Sequence, residues 1–200
     1  MTLQEIAATA ASIGLFIAYI PYFWGMYQGK TKPHAFTWIV CALLTSIAAA
    51  AQLMEGGGLG GWLMAALATI RWSIAAIALK RGEHTATRGD WVSFVLSFVA
   101  ILIWVMTKTP LYAVIIISII QFIAFYPTVR KSWMNPEQEA ALMYTLSACT
   151  QLFMVVALTT KNLITLLYPF VAIGVNLLFV GLLLYRRRVL RLASRDIRNP

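Results

Sequence analysis

Long apolar stretches alternate with short polar or glycine-containing breaks along the whole of this chain. A transmembrane α-helix needs roughly 20 mostly apolar residues to cross the hydrocarbon core of a bilayer. Seven stretches come close to that length, at 8–27, 35–53, 61–79, 91–106, 111–130, 139–159 and 164–185. The breaks between them hold glycine, proline, lysine or asparagine, which are typical of turns. The pattern therefore predicts an all-α integral membrane protein with seven transmembrane helices.

The composition of the chain favours the same class. Of its 200 residues, 60% are hydrophobic and 12% are charged, whereas a soluble domain is about 25% charged. The first five residues contain no Lys or Arg. A cleavable signal peptide begins with positive charge, so the first apolar stretch is predicted to be a permanent span. Cys41 and Cys149 lie alone in apolar stretches, which indicates neither a disulfide framework nor a metal site.

The basic residues fall almost entirely on one side of the predicted membrane. That side holds Lys30, Lys32, Lys80, Arg81, Arg88, Arg130, Lys131, Arg186, Arg187, Arg188, Arg191, Arg195 and Arg198. The other side holds only Lys108 and Lys161. Positive residues are retained in the cytoplasm during insertion, so we expect an inner (plasma) membrane protein with its N-terminus outside and its C-terminus in the cytoplasm. This asymmetry accounts for most of the formal net charge of +9 without a nucleic-acid partner.

The chain ends in an arginine-rich tail over 186–200. Two interpretations of this tail stay open. It can act only as a determinant of orientation, or it can be a helix that contacts anionic lipid or a partner. Each basic residue near such a lipid surface adds about 1 kcal/mol of attraction.

An internal repeat divides the chain. The hexamer at 16–21, FIAYIP, aligns without gaps to FIAFYP at 122–127, and a basic loop containing Pro33 or Pro136 follows each. The repeat predicts four segments: a three-helix half at 1–82, a linker helix at 83–109, a second three-helix half at 110–185, and the basic tail. A single linker span lets both halves enter the membrane in the same direction, which gives parallel repeats.

A three-one-three arrangement with a proline late in spans 1 and 5 resembles the PQ-loop superfamily, which includes the SWEET sugar facilitators and lysosomal amino-acid exporters. The family's Pro-Gln pair reads Pro21-Tyr22 and Pro127-Thr128 here, so both halves lack the glutamine. The loop at 29–34 is similar to that of a bacterial branch of small membrane proteins. The resemblance implies a midplane substrate site between the halves, with Pro21 and Pro127 as hinges for alternating access. A static packing kink is the alternative for each proline.

Arg71 is the one charged residue in the interior of a predicted span, since Arg130 and Glu139 lie at span ends. A charge at the bilayer centre costs at least about 2.5–3.5 kcal/mol on insertion scales, so we expect it to face the bundle or a wet cavity. All seven carboxylates fall in loops, span ends or the tail, so no acid within a span can neutralise it. Carbonyls, water or a solute anion must then satisfy the guanidinium. Its role is either structural, capping carbonyls or snorkelling, or the recognition of an anion.

Asn176 lies near the centre of the seventh span and is the counterpart of Arg71 by distance from the span ends. The sugar facilitators that this chain resembles use an asparagine on each of spans 3 and 7 as substrate ligands. Here only the seventh span keeps it, and this departure favours a polar or anionic solute over a sugar. An interhelical hydrogen bond, typically worth about 0.6 kcal/mol in a membrane, is the alternative role.

Other polar and aromatic residues near the midplane complete the candidate site. Gln121, Gln151, Thr45, Ser46 and Thr150 could each line a cavity or hydrogen-bond between helices. Of these we include Gln121 and Gln151 with Arg71 and Asn176 as predicted substrate contacts, together with the aromatics Tyr19 and Trp72.

An enzyme is not expected, because His34 and His84 lie in loops and no catalytic motif or intramembrane acid pair is present. The sequence therefore predicts a facilitator for a small polar solute, without a cofactor and without an intramembrane Asp, Glu or His to relay protons. Transport coupled to Na⁺ would need no such residue, because backbone carbonyls can coordinate the ion. The alternative function is a non-transporting membrane scaffold or receptor of the same fold. A homo-oligomer is left open.

Overall fold

The computed structural model describes residues 1–29, 33, 35–82, 87–134, 136 and 141–196, with the backbone alone at 90, 126–128, 130, 131 and 191–196. These residues form seven α-helices in an all-α fold. They are α1 (Leu3–Tyr27), α2 (Ala35–Met54), α3 (Gly58–Arg81), α4 (Arg88–Thr107), α5 (Pro110–Met134), α6 (Ala141–Val156) and α7 (Leu163–Asp196). A helix therefore covers all or most of the described part of each predicted apolar stretch.

The helix ends depart from the predicted bounds where local chemistry decides them. α1 begins at Leu3 because the Thr2 hydroxyl accepts from the Glu5 N–H while the Glu5 carboxylate accepts from the Thr2 N–H, a reciprocal capping box. α6 ends at Val156, before the predicted 159, because the backbone that follows it turns and forms hydrogen bonds with the connection between α2 and α3. α7 continues to Asp196, so the basic tail begins as an extension of that helix.

Four helical segments are long and apolar enough to cross a membrane. They are Leu3–Tyr27, Ala35–Met54, Gly58–Arg81 and Leu163–Leu190. Trp91–Thr107, Pro110–Phe125 and Ala141–Val156 are apolar but shorter. The length and composition of these helices are compatible with a membrane protein.

The distribution of exposed and buried side chains agrees with a lipid environment. On α1, the exposed face carries Phe16 and Ile20, which are 65% and 58% exposed. By contrast, several polar side chains are buried within the bundle, among them Thr45, Gln52 and Gln151. Apolar groups outside and hydrogen-bonding groups inside are what a bilayer favours, because lipid offers no partner to a polar group.

The helices pack in a repeated set of pairs. In the first three, α2 and α1 each pack on α3, and in the last three, α6 and α5 each pack on α7. Between these sets, α1 packs on α6, α2 on α5, α3 on α6 and α2 on α7. α4 packs on α2 and α5. The seven helices therefore form one bundle with its apolar core between the two sets.

The α2–α3 connection is bonded to the α6–α7 connection at one end of the bundle. The Thr159 N–H donates to the Gly57 carbonyl at 3.1 Å, and the Gly60 N–H donates to the Ala157 carbonyl at 3.2 Å. Gly58 has a φ of 59°, which glycine adopts without strain. A side chain on Gly60 would meet the Met154 carbonyl at 2.6 Å. The glycine run is therefore a close backbone contact between the two sets of helices.

Some predicted features lie outside the described residues. They are Lys30, Lys32, His34, Glu83, His84, Asn135, Glu137, Glu139 and Arg198. The backbone of α5 runs through position 127 without a break, and the side chain of Pro127 is outside the description.

Candidate functional site

Arg71 sits in the middle of α3 and reaches across to α2. Its Nη1 donates to the Thr45 hydroxyl and approaches the Cys41 carbonyl at 3.4 Å. Thr45 and Cys41 are one helical turn apart, and the Thr45 hydroxyl donates to the same Cys41 carbonyl at 2.7 Å. The close packing of α2 on α3 thus presents two stacked oxygens to the guanidinium.

The contacts of Arg71 continue into the last three helices. Its Nη1 lies 3.5 Å from the hydroxyl of Tyr168 on α7, and that hydroxyl donates to Gln121 Oε1 on α5 at 3.3 Å. Tyr168 is 1% exposed. Tyr19 on α1 is a further polar neighbour of the guanidinium. A chain of polar groups therefore crosses the bundle from α3 to α5 with Arg71 at its origin.

A small cavity lies beside Arg71, between α1, α3, α6 and α7. Its polar lining is Tyr19, Arg71, Ser147, Thr150, Gln151 and Asn176, and leucine, alanine and methionine side chains form the rest. Its volume is about 20 Å³, which is room for one or two water molecules. Arg71 and Asn176, the central polar residues of α3 and α7, share this void.

The predicted substrate contacts divide into three groups. Tyr19, Arg71, Gln151 and Asn176 all line the cavity. Gln121 does not line the cavity; it accepts a hydrogen bond from the hydroxyl of Tyr168, which contacts Arg71.

Trp72 lies outside the cavity, on the outer face of α3. It is 42% exposed, and its indole N–H donates to Ser46 Oγ at 3.0 Å. Successive residues of a helix point in different directions, so Arg71 and Trp72 do not face the same space.

The prolines in the helices have different surroundings. Pro21 lies within α1, two residues after Tyr19. A further helical proline, Pro169 in α7, was not predicted as a kink. Because Pro169 has no N–H, it leaves the carbonyl of Thr165, four residues earlier, without its helical donor. Gln52 Nε2 on α2 donates to that carbonyl at 2.9 Å and so fills the gap.

Thr150, named from the sequence as a residue that could line a cavity, does line it, and Ser147 was missed. Helical spacing on α6 could have found Ser147, because it lies one turn before Gln151. Thr45 and Tyr168 were recognisable only as polar or aromatic residues near the midplane. Their contact with Arg71 depends on how α2 and α7 pack against α3.

The cavity combines a fixed positive charge with hydroxyl and amide groups. Among the described side chains no carboxylate lies at salt-bridge distance from Arg71, whose bonded partners are all neutral oxygens. Such a site can hold an anion or a polar solute by hydrogen bonds to its lining. No family model, curated protein or solved structure matches this chain, so this chemistry is argued from the residues themselves.

Proposed function

We propose that this protein is a membrane transporter, a facilitator that passes a small polar or anionic solute by alternating access between two three-helix halves. The observation that carries the proposal is the shared cavity. Tyr19 and Arg71 reach it from the first half, and Gln151 and Asn176 reach it from the second. A polar void between two halves of a membrane bundle, with residues of both in its lining, is the usual position of a transporter's substrate site.

The helix pairing supports the two parallel repeats that the proposal needs. Exchanging α1 with α5, α2 with α6 and α3 with α7 converts every packing pair among these six helices into another observed pair. The loops follow the same rule. A Cβ on Gly82, at the end of α3, would meet the Pro33 carbonyl, and Arg187, two residues after the predicted span at 164–185, donates to the Pro136 carbonyl at 2.9 Å. We therefore keep the resemblance to the PQ-loop superfamily as part of the proposal.

The proposal includes seven spans with the N-terminus outside and the C-terminus in the cytoplasm. In that orientation the bonded α2–α3 and α6–α7 connections lie outside and close the cavity from that side. Reporter tags at both chain ends would test the orientation, with opposite sides expected. Both tags on one side of the membrane would overturn the parallel-repeat proposal.

The transport proposal is tested by solute flux in proteoliposomes. We expect the wild type to pass at least one small polar or anionic solute faster than protein-free liposomes do. Arg71→Ala and Asn176→Ala should each slow that flux at least tenfold, because each removes a polar group from the cavity. Trp72→Phe, outside the cavity, is the matched control and should leave flux unchanged.

Two results would count against transport. One is a wild type that passes every tested solute no faster than empty liposomes. The other is an Arg71→Ala or Asn176→Ala variant that retains full flux.

One observation favours a second function, a non-transporting scaffold or receptor of the same fold. The cavity, at about 20 Å³, is far smaller than the roughly 300–1,000 Å³ of ordinary ligand pockets. A scaffold would keep this interior closed and use its loops and basic tail for partners. Cross-linking between the α2–α3 and α6–α7 connections separates the two functions, because it should stop a transporter and leave a scaffold's partner binding intact.

A further inference from the structure

The charge of Arg71 is only partly compensated by the groups around it. Its bonds to the hydroxyls of Thr45 and Tyr168 and to the Cys41 carbonyl all use the same nitrogen, Nη1, and the Tyr19 hydroxyl is a further neutral neighbour. Neutral dipoles reduce the cost of burying a guanidinium, but a bare ion in a low-dielectric interior still costs several kcal/mol. A membrane protein with an intramembrane Arg normally pairs it with an acid or opens it to water. The described side chains supply no acid here.

The cavity lies on the side of Arg71 that the α2 oxygens do not cover. Its other polar groups are hydroxyls and amides that can donate hydrogen bonds, including Tyr19, Ser147 and Thr150. Asn176 uses one N–H for the Ala172 carbonyl at 2.9 Å, and an amide nitrogen carries a second. A guanidinium beside hydroxyls and amides that can turn a donor toward the void is a setting for a negative ion, because a cation would be repelled by Arg71.

The size and charge of the site restrict the ion. A void of about 20 Å³ holds one or two waters, so a monatomic ion fits where a sugar or a phosphate ester does not. One guanidinium balances one negative charge, and a dianion would leave a net buried charge in its place.

We propose that this cavity is a binding site for a small monoanion of halide size, held against Arg71 by hydroxyl and amide donors of α1, α6 and α7. The proposal that the ion binds does not depend on transport. The further proposal that the ion is the transported solute rests on the proposed function. In either case the bound ion would neutralise the charge of Arg71 within the bundle. Its contacts would also join the first three helices to α6 and α7.

The test is thermal unfolding of the full chain in detergent, with chloride or bromide replacing gluconate at constant ionic strength. Gluconate is a monoanion too large for the cavity, so it keeps ionic strength without binding. We expect a saturable rise in the melting temperature with either halide, since a ligand that binds only the folded state stabilises it. The apparent halide affinity should fall at least tenfold in Arg71→Gln. Arg81→Gln, which removes an exposed arginine at the end of the same helix, is the matched control and should keep the wild-type affinity.

A second variant keeps the test decisive if Arg71→Gln fails to fold. Gln151→Glu puts a carboxylate in the cavity lining, where it can act as an internal counter-ion for Arg71. We expect this variant to be folded without halide and to show no halide-dependent stabilisation. A halide response that persists in Gln151→Glu, or one that is unchanged in Arg71→Gln, would overturn the proposal.

The remaining outcomes separate binding from transport. If the wild type melts at the same temperature in chloride, bromide and gluconate, the anion site is overturned whatever flux is measured. If halides stabilise the wild type through Arg71 but liposomes pass no halide or other solute, the anion site stands and the transport proposal fails. Chloride and bromide flux that is lost together with binding in Arg71→Gln would support both.

Discussion

The first three and the last three helices repeat one packing pattern but carry different chemistry at their centres. In the first set, Arg71 on α3 is bonded to α2 and to Tyr168 on α7. In the last set, Asn176 on α7 is seen to donate only to the Ala172 carbonyl of its own helix. Both side chains line the same cavity. One set therefore supplies a charge fixed by neighbouring helices, and the other supplies an amide that is bonded only within its own helix among the residues described.

A similar contrast holds for three further residues. Gly60, Gln52 and Thr45 of the first set contact the opposite set or Arg71. They are compared below with Gly174, Gln151 and Thr145 of the last set. If this comparison is correct, equivalent substitutions in the two sets should have unequal effects on the free energy of unfolding.

The largest difference is expected between two helical glycines, Gly60 in α3 and Gly174 in α7. In Gly60→Ala the new methyl would meet the Met154 carbonyl at 2.6 Å and Leu158 Cγ at 2.7 Å, and backbone cannot move aside as a flexible side chain can. We expect a loss of about 3 kcal/mol in the free energy of unfolding, at the upper end of overpacking costs. Equilibrium unfolding in mixed micelles measures it.

Gly174→Ala is the control for this prediction. A Cβ at Gly174 meets nothing within 4 Å, so the change should be neutral or stabilise by up to about 1 kcal/mol through helix propensity. Equal destabilisation of both variants would remove the distinction between the two sets at this position.

A second difference is expected between two buried glutamines, Gln52 in α2 and Gln151 in α6. Gln52→Leu would leave the Thr165 carbonyl, already deprived of its helical donor by Pro169, without the amide that bonds it. A buried unsatisfied carbonyl costs about 1–3 kcal/mol, and we expect about 2 kcal/mol here. The Oε1 atoms of both glutamines have no partner among the described residues. Only the Gln52 amide nitrogen is seen to bond a carbonyl of the opposite set, so Gln151→Leu should cost less than half as much.

Thermal and denaturant unfolding of the two leucine variants, side by side, checks this difference. A Gln151→Leu variant that is as unstable as Gln52→Leu would mean that Gln151 is a structural residue rather than part of the cavity's chemistry. Halide affinity gives the opposite ranking, because only Gln151 lines the void.

The helices were predictable from the sequence, and the contacts of the site were only partly so. The apolar stretches predicted the seven α-helices of the described residues, and four of these helices are long and apolar enough to cross a membrane. Arg71 and Asn176 stood out as rare polar groups in apolar surroundings, and both line the cavity. Trp72 lies outside the cavity, and Gln121 contacts Tyr168 rather than the void. Both facts depend on how each helix is rotated about its axis, which a uniformly apolar sequence does not encode. The bond from Gln52 to Thr165 required knowing that α2 packs on α7.

The smallest difference is expected between Thr45 in α2 and Thr145 in α6. Both hydroxyls donate to a carbonyl one turn earlier in their own helix, Cys41 for Thr45 and Ala141 for Thr145. Only Thr45 also accepts from Arg71. Thr45→Val keeps the shape and removes that acceptor, and we expect a loss of about 1 kcal/mol, somewhat above the average interhelical hydrogen bond in a membrane. The free energy of unfolding in micelles measures it.

Thr145→Val is the matched control and should change that free energy by less than about 0.5 kcal/mol, as is usual away from buried networks. A double mutant with Arg71→Gln tests the reason for the difference. If Thr45 acts through Arg71, Thr45→Val should cost almost nothing once the guanidinium is gone, because the two residues share one interaction. An unchanged cost in the Arg71→Gln background would show that Thr45 stabilises the α2–α3 pair by packing alone. The bonded charge of Arg71 would then not be what distinguishes the first three helices from the last three.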